Sequence, residues 1–126
     1  MLSTVFQVAL GGAIGASARY LSGVAILRAF GPQTIPLGVI FVNILGSFVM
    51  GALVTFLGQK ELTHWNAFLA TGILGGFTTF SSFSLEAWTL VERGEPGQAA
   101  FYVFASVGAA LAGLIFGVHL MRWVLA

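Results

Sequence analysis

Four long apolar runs, separated by three short polar stretches, make up almost the whole chain: Val5 to Leu27, Leu37 to Leu57, Trp65 to Leu90 and Gln98 to Val124. Each has the roughly 20 residues a helix needs to cross a bilayer. The expectation is a single four-span unit over residues 1–126, all-α and embedded in the membrane. The separators read as turns: GPQTIP, GQKELTH and ERGEPG carry the Gly, Pro and charge that stop helices. In the second of these, Thr63 stands where an N-cap of the third span belongs, with Trp65 at the membrane interface.

Within the runs, small residues recur at i, i+4. Gly11 pairs with Gly15 and Gly12 with Ala16 in the first span, and Ala105, Ala109, Gly113 and Gly117 form a seam on the fourth. Such spacing lets another helix approach closely. A second stripe on the fourth span runs through Tyr102, Ser106 and Ala110. The third run is interrupted by GILGGFTTFSSFS, Gly72 to Ser84, which holds three glycines and five hydroxyls: Thr78, Thr79, Ser81, Ser82 and Ser84. Glycine weakens helix interiors and clustered Ser/Thr compete for backbone bonds. A helix broken inside the membrane is expected here, its freed backbone groups satisfied by protein, water or an ion.

Composition agrees, with 58% hydrophobic and 7% charged residues leaving too little polar surface for a soluble domain. Nothing resembles a cleaved leader, so the first run is expected to be retained as a span. Of the five basic residues, Lys60 and Arg122 would share the N-terminal side and Arg28 and Arg93 the other. Orientation normally follows a Lys/Arg excess. A two-against-two balance therefore suits either a chain inserted both ways and paired with an inverted copy, or one directed by a weak bias at its N-terminus.

Several polar residues lie at membrane depth. Arg19 is costly there, about 2.5–3.5 kcal/mol on insertion scales, and reads either as a structural arginine on carbonyls or as an attractor of anions. Asn43 reads either as interhelical glue or as a pore residue whose amide offers donors, with Ser47 and Gly51 on its face. Glu86 fits the mouth of a pathway or an interfacial carboxylate, and His119 an interfacial position. There is no Asp, no Cys and no nucleotide loop, GxSxG or HExxH pattern, so neither an enzyme nor a metal cluster of the usual N/S/O ligands is expected. Nothing in the composition suggests a nucleic-acid partner.

What remains is a passive pathway. Asn43, Ser47, Ser81, Ser84, Tyr102 and Ser106 are neutral hydrogen-bonding groups suited to a small, strongly hydrated anion. The electropositive ring edges of Phe80 and Phe83 can serve the same end, although two Phe in a membrane helix usually pack. After a break, a restarting helix presents amides to anions, and unwound carbonyls can coordinate a cation.

At this point the chain resembles the Fluc (CrcB-type) fluoride channels along essentially its whole length. The likeness is carried by GGAIGASARY at Gly11 to Tyr20, by VN then GSF at Val42 to Phe48, and above all by GGFTTFSSFSLE at Gly75 to Glu86. The resemblance implies an antiparallel, dual-topology homodimer with two pores, passive fluoride export across a bacterial-type cytoplasmic membrane, and a central structural sodium ion. It implies that Phe80 and Phe83 line the fluoride path with Asn43, and that the carbonyls of Gly75 and Thr78 hold sodium. Tyr102 and Ser106 match a polar track on the fourth helix, and Glu86 a vestibule glutamate. Where relatives often carry threonine and serine, this chain has Val39 and Ala110. Two other classes compete: a small accessory or structural membrane subunit, and a small-solute exporter, although the first span lacks an exporter's embedded carboxylate.

Overall fold

The computed structural model describes residues 1–126 and is all-helical. Helices α1 (Leu2–Phe30) and α2 (Leu37–Gln59) are followed by a 3-10 turn, Thr63–Trp65, and a π-helical segment, Ala67–Leu74. The short α3 (Gly75–Phe77), α4 (Phe80–Glu92) and α5 (Pro96–Leu125) complete the chain. By length and hydropathy four helices suffice to span a membrane, the third being the composite Thr63–Glu92. This is an integral, multi-pass membrane protein. Only 15 of 126 residues are buried, while Phe6, Phe104 and Trp123 stand largely exposed, as lipid permits and water would not.

Helix ends follow local chemistry. Pro36 precedes α2 and Pro96 opens α5, where a missing N–H costs nothing. Gly31 closes α1 at φ 71°, a left-handed conformation that glycine adopts without strain. Thr63 makes no side-chain cap, because the third span starts with a 3-10 turn preceded by Leu62.

Two close helix contacts organise the bundle. The α1 helix lies against the first half of the third span: a Cβ on Gly15 would fall on the Ile73 carbonyl, and one on Gly76 would come 2.8 Å from the Gly12 carbonyl oxygen. The α2 and α5 helices meet where a Cβ on Gly51 would strike the Leu114 carbonyl and one on Gly117 the Phe48 carbonyl. On α5 the seam differs from the expected one. Tyr102, Ser106 and Gly117 are buried, whereas Ala105 and Ala109 are exposed. A strict i+4 stripe drifts around a helix of 3.6 residues per turn, so the packed face passes from Ala110 to Gly113 by a step of three.

The third span breaks at Thr78 (φ −85°, ψ 159°) and Thr79 (φ −149°, ψ 123°), both extended. The glycines are not the break. Gly75 is helical (φ −63°, ψ −36°), and Gly72 and Gly76 serve close approach to α1. The π-helix before the break had no counterpart in the sequence reading.

Candidate functional site

Three side-chain hydrogen bonds join residues distant in sequence, and all three converge on the break. Arg19 Nε donates to the Gly76 carbonyl at 3.1 Å. Asn43 Nδ2 donates to the Thr79 carbonyl at 2.9 Å, while Asn43 Oδ1 accepts from the Thr79 N–H at 2.8 Å. Every other side-chain bond spans four residues or fewer; examples are Thr78 Oγ1 to the Leu74 carbonyl and Ser84 Oγ to the Phe80 carbonyl. Gly46, one turn after Asn43, makes the approach feasible, since a Cβ there would collide with the Thr78 methyl.

The break leaves polar backbone on both sides. Thr79 Oγ1 accepts from the Ser82 N–H at 3.1 Å and caps α4. Of the two carbonyls on the other side, those of Gly75 and Thr78, the Thr78 carbonyl receives no hydrogen bond. These are hard, neutral oxygens of the kind that coordinate cations in unwound membrane helices. No cluster of three His, Cys, Asp or Glu exists elsewhere to hold a metal.

A cavity of about 230 Å³ opens beside the break, lined by Asn43, Ser47, Thr78, Thr79, Phe80, Phe83, Ser106, Val107 and Ala110. The structure thus gathers Asn43, Ser47, Phe80, Phe83 and Ser106 at one place. The Phe80 and Phe83 rings lie 5.7 Å apart at 42°. Phe83 is buried, but Phe80 is 78% exposed, so the cavity is open on the outer face of the chain. Behind Phe83, 5.2 Å away, stands the fully buried ring of Tyr102, packed with Leu90 and Ala99 and flanked by Val39. The hydroxyls of Tyr102 and Ser106 are buried with no protein partner, an expensive state unless a mobile polar species visits them.

A second cavity, about 330 Å³, shares Thr79 with the first and includes Arg19, Gln33, Val39, Ser82 and Glu86 in its walls. Arg19 and Glu86 therefore line a common cavity, the guanidinium anchored on the Gly76 carbonyl just before the break. Four of the sequence-derived residues line neither cavity: Tyr102, which stands behind Phe83, Gly75, Ser81 and Ser84. Ser81 is exposed beside Thr79, and Ser84 lines a separate apolar hollow with Trp88 and Phe104. Sequence reasoning passed over Gly76, Ser82 and Thr79 as individual participants. Thr79, as a hydroxyl residue heading a helical stretch, carried an N-cap signal that would have found it.

A family model described as "CrcB-like protein, Camphor Resistance (CrcB)" matches residues 6–118. The chain belongs to the CrcB family. Among its CrcB relatives, a protein of Ruegeria sp. (strain TM1040) is 60% identical over 125 residues, covering 99% of each chain. One from Cereibacter sphaeroides (strain ATCC 17029 / ATH 2.4.9) is 57% identical over 122 residues, 97% of each. A third, from Agrobacterium fabrum, is 49% identical over 117 residues, covering 91% of this chain and 93% of its own. All three are named "Fluoride-specific ion channel FluC", an ion channel and not an enzyme.

Proposed function

We propose that this protein is a fluoride channel, giving passive fluoride export across a bacterial-type cytoplasmic membrane. The observation that carries the reading is the cavity beside the break. It combines the unspent Asn43 N–H, two phenylalanine rings and the unpartnered Ser106 hydroxyl, donors without fixed charge. Such a set can replace part of a small anion's hydration without trapping it. The names of the CrcB relatives agree. Phe80 and Phe83 present ring edges, Tyr102 and Ser106 continue the track, and Arg19 and Glu86 shape the vestibule. Ser81 is a further donor beside Thr79, whereas the Ser84 hydroxyl is spent on the Phe80 carbonyl.

The functional unit in this reading is an antiparallel homodimer with two pores, one per half. Phe80 stands on the open face of a single chain, as does Gly75, so a second copy is needed to enclose both. A sodium ion on the Gly75 and Thr78 carbonyls, shared with the inverted copy, would satisfy the Thr78 oxygen, which no N–H reaches. The evenly divided Lys and Arg fit insertion in both orientations.

Efflux from liposomes tests the function. The purified protein should release fluoride but not chloride, with no proton gradient imposed. Dependence on a gradient would favour a small-solute exporter, and no flux at all an accessory subunit.

A further inference from the structure

The Asn43 amide and the Thr79 main chain form a two-bond ring, 2.8 Å and 2.9 Å on its two sides. Extended backbone makes the ring feasible. At φ −149°, ψ 123° the N–H and C=O of Thr79 point to the same side, as they do in a hydrogen-bonded pair of strands. The partner must then offer a donor and an acceptor in one plane, which an amide does and a carboxylate or hydroxyl does not.

This arrangement reaches one atom further than the ring. In a trans peptide the C=O lies opposite the N–H. The Thr79 N–H belongs to the same peptide as the Thr78 carbonyl, so turning the N–H toward Asn43 turns the Thr78 oxygen away from it. That oxygen receives no hydrogen bond. A peptide whose N–H is already engaged is also polarised, which makes its oxygen a stronger ligand.

We infer that Asn43 is a positioning residue for the cation site. Through the single Thr78–Thr79 peptide it aims the Thr78 carbonyl at a cation on the far side of the break from the cavity that Asn43 itself lines. Anion path and cation site are thereby back to back across one peptide group. This inference rests on the cation reading proposed above. Linkage makes the coupling reciprocal: a bound cation also holds the Asn43 amide in its donor orientation.

The test uses full-length purified protein stripped of sodium. Thermal unfolding is followed against sodium concentration, together with hydrogen exchange at the Thr79 amide. Asn43→Ala should need about five- to tenfold more sodium for half of the full rise in Tm, the scale of one lost hydrogen bond, and the Thr79 amide should exchange faster by a similar factor. Phe80→Ile, on the same cavity but off the peptide, should titrate with sodium as the wild type does. A sodium-responsive wild type with an unchanged Asn43→Ala titration would overturn the positioning role and leave the cation reading standing. A wild type indifferent to sodium would overturn the cation reading and this inference with it. Should Asn43→Ala not fold, the wild type decides. There, where sodium raises Tm, it should also slow exchange at the Thr79 amide, and an exchange rate that ignores sodium would overturn the positioning role.

Discussion

The two phenylalanines at the break face different environments, and their substitutions should differ accordingly. Phe80 is largely exposed and Phe83 is packed on Tyr102. Phe80→Ile and Phe83→Ile should each lower fluoride flux at least about tenfold, a loss of roughly 1.4 kcal/mol or more from the barrier. Only Phe83→Ile should also cost stability, about 1 kcal/mol as a core reshaping. Liposome efflux and thermal unfolding in detergent measure the two effects, and wild-type flux in either variant would remove that ring from the pathway. Ser106 offers a sharper separation of roles. Its hydroxyl is buried with no protein partner, so as mere packing it is a liability, and Ser106→Ala should leave Tm unchanged or slightly higher. Flux should nevertheless fall several-fold, and unimpaired flux would exclude Ser106 from the path. Sequence made Ser106, Phe80 and Phe83 candidates by type and spacing. It did not separate Ser84, which bonds back to the Phe80 carbonyl and lines another hollow, because a hydroxyl's direction depends on where the helix restarts.

At the scale of the element, the third span is the part shaped for work, and its break is held by other helices. Arg19 reaches it from α1 and Asn43 from α2, and Thr79 caps the restart. Replacing Thr79 with valine keeps the volume and removes the cap on Ser82. The expected loss is about 1 kcal/mol, read as a lower Tm with faster exchange at the first amides of α4; an unchanged Tm would show the cap to be redundant with Asn43. That a break exists was legible in the density of hydroxyls between Thr78 and Ser84. Its cause was not. The glycines suggested weakness, yet in the structure they stay helical, Gly72 and Gly76 admit α1, and the two threonines carry the extended backbone. The π-helix of Ala67–Leu74 was equally hidden, since its apolar residues read the same at either helical pitch.

For the whole molecule, four apolar helices with few buried side chains describe a chain whose outer face belongs to lipid or to another copy. The proposed antiparallel dimer has a simple test. Reporters fused at the C-terminus should be found on both sides of the membrane in comparable amounts; a single location would refute dual topology. Moving the balance by adding two lysines to one polar loop should drive most of the population to one orientation. Expression of that variant alone should then lower fluoride flux, and co-expression with a variant biased the other way should restore it.

By itself the sequence determined the membrane as solvent, the number of spans, their turns, the family likeness and the place of the break. Each of these follows from local composition or from side-chain type at fixed spacing, and such information does not depend on what lies across the bundle. Only the tertiary structure decided that Arg19 and Asn43 end on main-chain atoms of the break and that Ala105 and Ala109 lie outside the α5 seam. It alone joined residues of α2, α4 and α5 in one cavity while standing Tyr102 behind Phe83. Those outcomes depend on how closely backbones approach, and that distance is set by glycines on neighbouring helices acting together.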